Sequence, residues 1–449
     1  MAGFERKGNH LQPLSAEEVE RIHTASLEVL AKSGMLIRDG EILQILEAAG
    51  CETGPSSDLV KMPQGLVEEA LDKAPHLVTL CGRSSAHDLR LGDGRIYART
   101  PGGATRILDL ETGVAREATQ ADVAACVRLA DALPHIHGVS MCQVVPMDVP
   151  RDRMDLYMAE VSLANTSKHL FYVCHNDDLI ETVIEMAAAQ VGGHDALRER
   201  PIVSPLCEST SPLRLVESQA KVLKSFAARG LPLRLHAHPI AGFTSPVTLA
   251  GELVVTHAEV LGLVVIAQLI TPHVPVVYGM SSSVPDMKTG LNLAGAVEIG
   301  LLGAAVAQLA GRIGIPSSAS SGIDAKLPGP QSVLERMLTA LPLILAGVDL
   351  VNLCTTDGKL TFSPEQLVID DEIMRWVGRY LQGVKVNDDT LALELIQAVG
   401  PGGIFVGKAH TALHLREELL VEGLIRGSGG GQAGDLRFKA RQKAKEILQ

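Results

Sequence analysis

Between about Pro134 and Leu381 the chain repeats one pattern: a short, β-branched apolar run, a polar or glycine-containing turn, then a stretch with helical period. The apolar runs start at His137, His169, Pro201, Leu231, Val274, Ile315 and Asp349. Strand followed by helix, repeated, predicts a parallel sheet covered by helices. A repeat of this length closes most economically as an α/β TIM (β/α)8 barrel, whose chemistry sits at the carboxyl ends of the strands. Met154, Tyr157, Met158 and Val161 form one apolar stripe and Val216, Ala220, Leu223 and Ala227 another, as expected of helices that each cover one sheet face. The stretch Gly295 to Ala310 is apolar and small all round, so its outer side needs cover from elsewhere in the chain or from a second copy, and a homo-oligomer is expected.

The flanks read differently. Ser15 and Glu18 form a capping box, and Ile22, Ala25 and Val29 recur at helical spacing, predicting a helix from about Ala16 to Ser33 that ends at Gly34. Leu89 to Tyr97 alternates around a Gly-Asp-Gly turn, and Thr105 to Leu108 alternates again, predicting a small antiparallel β element leaning on the barrel. Beyond the barrel, Asn387 caps a helix, Pro401 to Gly407 reads as a turn entering a short strand, Gly427 to Gly434 as a linker, and Leu436 to Leu448 as a basic helix. The expected organisation is an N-terminal helical and small β extension over 1–125, the barrel over 126–408, and a C-terminal helical tail over 409–449.

At 449 residues, 46% hydrophobic and 20% charged, the chain can bury a large core. Lys and Arg number 40 against 52 Asp and Glu, a net charge of −12, with no dense basic cluster, which argues against nucleic acid and anionic membranes as partners. No apolar leader opens the chain, so a cytoplasmic location is expected. The seven cysteines are far apart with no Cys-x-x-Cys pair and read as reduced and mostly buried.

The strand-end rule selects Gln143, His175, Glu208, His236, His238, Tyr278, Asp324, Lys326 and Asn352 as residues aimed at a common centre. His236-Ala-His238 is the sharpest local pattern, because alternation points both imidazoles to one side, where they could share a metal if His175, Glu208 or Asp324 joined them. Hydrogen bonding to a substrate is the competing role. Aromatics make up only 3% of the chain, and Tyr97, Phe171, Tyr172, Phe243, Tyr278 and Phe362 fall near strand ends, where a ring face could hold a cation at about 0.5–2 kcal/mol or simply fill the core. The absence of Gly-x-x-x-x-Gly-Lys-Ser/Thr, Gly-x-Ser-x-Gly and His-Glu-x-x-His removes nucleotide-dependent and serine-hydrolase chemistry from contention.

Several stretches resemble the trimethylamine methyltransferase (MttB) superfamily of corrinoid-dependent methyltransferases: Val247 to Leu253 with His257-Ala-Glu-Val-Leu-Gly, Pro275-Val-Val-Tyr-Gly, Phe362 to Ile373, and Asp388 through Gly403. His23 to Leu30 and Pro101-Gly-Gly-Ala fit as well. The resemblance implies a TIM barrel that presents a methylated amine to the cob(I)alamin of a separate corrinoid protein, with no cofactor bound tightly by the barrel. The family's trimethylamine enzymes carry pyrrolysine, whereas this chain uses only the standard twenty residues, as do its members similar to glycine betaine:corrinoid methyltransferases. On that resemblance Tyr97, Gln143, His175, Glu208, His236, Tyr278, Asp324, Lys326 and Asn352 line the substrate pocket. Glu208 or Asp324 would hold the cation, and His236, Lys326 or Asn352 a substrate carboxylate. The competing functions are a metal-dependent TIM-barrel hydrolase using His236, His238 and Asp324, and a non-catalytic betaine-binding homologue.

Overall fold

Eight parallel strands close into a barrel in chain order: β1 (Arg95–Arg99), β2 (Gly138–Ser140), β3 (His169–Tyr172), β4 (Val203–Glu208), β5 (Leu233–Ala237), β6 (Val276–Met280), β7 (Ser317–Ser321) and β8 (Leu350–Leu353). Closure is made by β8 against β1, with Leu350 opposite Tyr97 and Asn352 opposite Arg99. The computed structural model describes residues 3–5, 11–54, 58–420, 423–424 and 435–449. The helices that wrap the barrel include α2 (Gln120–Ala132), α3 (Met154–Asn165), α4 (Ile180–Val191), α5 (Glu217–Ala227), α6 (Leu249–Ile270), α7 (Val297–Ile313), α8 (Pro330–Ala346) and α9 (Pro364–Leu381). They are preceded by α1 (Ala16–Lys32) and followed by α10 (Leu436–Leu448).

The first barrel strand was expected to be half of an antiparallel hairpin. Leu89–Leu91 instead pairs with Val78–Leu80, and Arg95–Arg99 leaves the Gly92–Gly94 turn to enter the barrel between β2 and β8. The physical reason is burial: Ile96, Tyr97, Ala98 and Arg99 are all buried, as a barrel strand covered on both faces requires. The short ribbon packs Val78, Leu80, Leu89 and Leu91 against Tyr97, Phe171, Val277 and Leu350. Gly92 also donates its N–H to Asp349, the residue just before β8, at 2.8 Å, so the ribbon closes the amino end of the barrel. The second alternation does form a hairpin, Arg106–Leu108 with Ala115–Glu117.

The predicted capping box is in place: the Ser15 hydroxyl accepts from the Glu18 N–H, and Glu18 accepts from the Ser15 N–H at 2.8 Å. α1 lies on α6, which by length and composition could cross a membrane but is buried inside the fold. His257 of α6 bridges His23 of α1 and the Tyr278 hydroxyl of β6, each at 2.8 Å. α7 is covered by α8 and by the chain before α1, where Leu14 and the Gln308 side chain exchange two hydrogen bonds, although Val297 and Leu301 stay exposed. α10 folds back onto α9 and α2, and Arg437 and Arg441 clamp Glu365 at 2.6 and 2.5 Å. The segment expected to enter a strand after Pro401 forms turns and irregular backbone over 401–408 instead. The predicted linker, Gly427 to Gly434, lies outside the described residues.

Candidate active site at the carboxyl end of the barrel

Alternation along each strand decides what faces the barrel axis. On β5, Leu233, Leu235 and Ala237 pack outward beneath helices, leaving Arg234 and His236 to point inward. Arg234 lies over the Phe171 ring of β3 at 4.7 Å from its centroid, and Arg99 of β1 lies over the same ring at 5.1 Å. A Cβ on Gly138 would overlap that ring and a Cβ on Gly279 would overlap the His236 imidazole, so β2 and β6 carry glycine where these two side chains cross the barrel. Strand register sets the depth: Leu206 of β4 is opposite Arg234, and Glu208 is opposite His236, one step nearer the mouth. Two guanidiniums therefore lie deep, with a carboxylate above them.

This interior is polar and incompletely paired. The Arg99 Nε, the Arg234 Nε and Nη1, the His236 Nε2, the Glu208 Oε1, both amide atoms of Gln143 and the Asn352 Oδ1 are buried with no protein hydrogen-bond partner. Arg99 spends one donor on the Thr100 carbonyl at 3.1 Å, and Arg234 reaches the Tyr172 carbonyl only at 3.5 Å. Burial pushes the Arg99 guanidinium down to about 10, and burial together with the neighbouring Arg99 charge lowers Arg234 further. Burial and the arginine charge likewise keep His236 neutral, with its Nδ1 3.0 Å from the Ser281 hydroxyl. Burial works against ionising Glu208, but His238, 3.7 Å away, and the positive groups around it prevail and hold its carboxyl at about 2. Unpaired buried donors of this kind cost about 1–3 kcal/mol each unless a ligand or water meets them.

The sequence-selected residues separate into three groups. Gln143, Glu208, His236 and Asn352 lie at or just past the carboxyl ends of their strands, each with a buried polar atom left unpaired, and Asn352 donates to the Ser320 hydroxyl at 3.1 Å. His175 stands at the rim beside Asp155 at 3.2 Å, where Asp155 also takes the Tyr172 hydroxyl and the His175 N–H. The remaining four do not join them. Tyr97 is in the plug at the opposite end of the barrel, since it lies two residues before the inward-facing Arg99. Tyr278 faces outward to His257, because on β6 the inward positions are Val277 and Gly279. Asp324 is half-buried and ties down a loop by accepting the N–H groups of Ala294 and Gly295 at 2.8 and 2.9 Å. Lys326 is exposed, and the loop lysine whose charge reaches both Glu208 and Asp324 is Lys359.

Arg99, Arg234 and Lys359 were missed by the sequence reading, although the alternation Leu-Arg-Leu-His-Ala already places Arg234 on the side of His236. Among the described residues His236, His238 and Asp324 do not bring three ligand atoms to one point, which removes the geometry of the hydrolase reading. The aromatic faces expected near a substrate cation are otherwise used: Phe171 carries the two guanidiniums, Tyr172 and Phe362 are buried, and Phe243 is exposed on a loop.

The family model for trimethylamine methyltransferase (MTTB) matches residues 2–420. The chain belongs to the trimethylamine methyltransferase family. It is 36% identical to the trimethylamine methyltransferase MttB of Desulfitobacterium hafniense, over 100% of this chain and 92% of that protein. It is 30% identical to a glycine betaine methyltransferase of the same species, over 96% of this chain and 90% of that protein. Among solved structures it is similar to the Methanosarcina barkeri monomethylamine methyltransferase, with a TM-score of 0.45 and 10% identity over 98% of this chain and 96% of that one.

Membership makes the protein a methyltransferase, and its barrel mouth is where such a fold places its chemistry. Physically, a molecule carrying an anion and a cation would match the two charge layers. An anion would reach the free guanidinium donors at depth, and a cation would sit beside Glu208 nearer the strand ends.

Proposed function

We propose that this methyltransferase demethylates a quaternary amine that also bears a carboxylate, a betaine such as glycine betaine, in favour of the corrinoid of a separate partner protein. The observation that supports this most is the pair of buried, under-hydrogen-bonded guanidiniums, Arg99 and Arg234, stacked on one ring. A bare trimethylated amine gives those donors nothing to bind. A betaine carboxylate gives them charge-assisted, potentially bidentate partners and relieves their mutual repulsion.

Orientation follows from the layers. With its carboxylate on the deep arginines, the substrate points its ammonium toward Glu208 and an N-methyl toward the mouth, where a partner can dock. The corrinoid on that partner supplies a Co(I) nucleophile, and the departing amine is neutral, so the barrel needs no general acid. Its work is to fix the carboxylate, steady the cation and keep water from the guanidiniums; positioning of this kind can be worth roughly 7–11 kcal/mol. Gln143, whose amide N–H donors are free, would orient the carboxylate, and the free Asn352 Oδ1 would accept from an ordered water beside it. This reading places the enzyme in the cytoplasm, with a second copy covering Val297 and Leu301 of α7 and Leu334 and Leu338 of α8, all exposed.

The test is methyl transfer to free cob(I)alamin, followed by absorbance, with glycine betaine, proline betaine, carnitine and trimethylamine offered separately. Carboxylated quaternary amines should be the substrates. Equal turnover of trimethylamine would refute the carboxylate requirement, and tight betaine binding without any transfer would identify a binding protein.

A further inference from the structure

Far from the barrel mouth, the chain between α9 and α10 carries a cluster that the methyl-transfer reading does not use. His410 and His414 are one turn apart on the helix Ala409–Glu418, so both rings project from one face, with centroids 4.3 Å apart and planes tilted by 46°. Facing them is Asp389, in the first turn of the short helix Asp388–Leu391 that Asn387 caps. One ligand atom from each of the three residues lies within 4.8 Å of the other two.

The geometry is not that of an ordinary ion pair. The His414 Nε2 is 3.3 Å from the Asp389 Oδ2, yet that nitrogen is buried and forms no hydrogen bond. Two groups that approach but do not aim at each other share a third point toward which their lone pairs converge. In a tetrahedral site with metal–ligand bonds of about 2.0–2.1 Å, neighbouring ligand atoms stand about 3.3 Å apart. His410 is held independently, with its Nε2 3.1 Å from the Asp389 carbonyl oxygen, a backbone contact that fixes the ring as outer partners of metal-ligating histidines do.

We propose that His410, His414 and Asp389 form a divalent-metal site, best suited to Zn2+, that clasps the helix Ala409–Glu418 to the turn at Asp389. Two imidazoles and one carboxylate leave a fourth position for water. The clasp has a structural use. This part of the chain exposes Val384, Val386, Ile404, Val406 and Leu413, so apolar packing does little to hold it in shape. A bound ion would supply the missing cross-link between two short helices that are marginal alone.

Full-length protein stripped with a chelator should bind one equivalent of Co2+ with the intense visible bands of a tetrahedral site, and Zn2+ should displace it. Zn2+ should also slow tryptic cleavage after Lys385 and Lys408. His414→Ala and His410→Ala should each abolish both effects, while circular dichroism of the barrel is unchanged. Asp389→Asn, a change at an exposed position that poses little risk to folding, should weaken binding at least tenfold. Failure of the wild type to take up stoichiometric Co2+ or Zn2+, or uptake that survives both histidine substitutions, would overturn the assignment.

Discussion

Replacing Arg234 with Met separates a binding role from a structural one, because the two predict opposite changes in stability. Arg234 is fully buried and spends at most one donor on protein, the 3.5 Å contact to the Tyr172 carbonyl. The neighbouring Arg99 further disfavours its charge. Without ligand it is a burden, and exchanging a buried, poorly paired cation for an apolar side chain of similar length stabilises a fold by about 1–4 kcal/mol. Met keeps the contact with the Phe171 ring through its thioether. With a carboxylated substrate the same exchange removes one side of a buried charge pair, a loss of about 2–5 kcal/mol, or roughly 30- to 5,000-fold in kcat/KM. The expected signature of Arg234→Met is therefore a higher melting temperature without ligand together with a collapse of betaine turnover. Calorimetry on the ligand-free protein and initial rates of cob(I)alamin methylation measure the two halves. A lower melting temperature, or no loss of betaine kcat/KM, would show that the guanidinium is a packing element and defeat the argument.

Glu208→Gln should raise KM for a betaine several-fold, from the loss of about 1 kcal/mol at a partly exposed ion pair, without lowering kcat. On the proposed function the nitrogen loses its charge as the methyl leaves, so Glu208 would stabilise the ground state more than the transition state; a fall in kcat with unchanged KM would contradict this. Glu252, fully buried on α6 with both oxygens unpaired, has its carboxyl pushed up by burial to about 7 from 4.5. The folded state therefore prefers the protonated acid, and stability is fully present below pH 4.5 and declines as pH rises through 7, by about 3 kcal/mol in all. Glu252→Gln should flatten that decline, raising the melting temperature at pH 8 but not at pH 4, and parallel pH profiles for variant and wild type would refute it. Gly279→Ala forces a methyl into the space of the His236 ring and should cost about 1–3 kcal/mol of stability along with betaine turnover; a folded variant with normal turnover would show that the ring can move freely.

How much of this was legible in the sequence depended on whether a signal was local or came from barrel closure. The capping box at Ser15, the strands from His169 onward and the terminal basic helix were readable because each is set by residues a few positions apart. β1 was not, since Gly92-Asp-Gly94 is as good a hairpin turn as it is a corner, and only partners more than 200 residues away in β8 decide between them. The strand-end rule picked Glu208, His236, Gln143 and Asn352, which do sit at or just past strand termini with buried polar atoms unpaired. It misplaced Tyr278, where position along the strand was read without asking which face the side chain takes, and the aromatic reading misplaced Tyr97 by not asking how deep it lies.

The arginines show why that question matters most for function. In an open sheet with one wet face, a charged residue within a strand belongs to solvent, so Arg234 between Leu233 and Leu235 looks like surface. In a closed barrel both faces are buried, and the outer one is claimed by apolar contact with helices, so the odd polar residue can only turn inward. A charge in such a strand is then aimed along the barrel axis, where nothing in the protein has to satisfy it. Applied here, the rule selects Arg99, Arg234 and His236 together, with His236 opposite Glu208 and Arg234 one register step deeper. On the proposed function, that order along the axis, guanidiniums deep and carboxylate shallow, would make the barrel offer a betaine methyl end outward and would give a selectivity that an uncharged barrel of the same shape could not have.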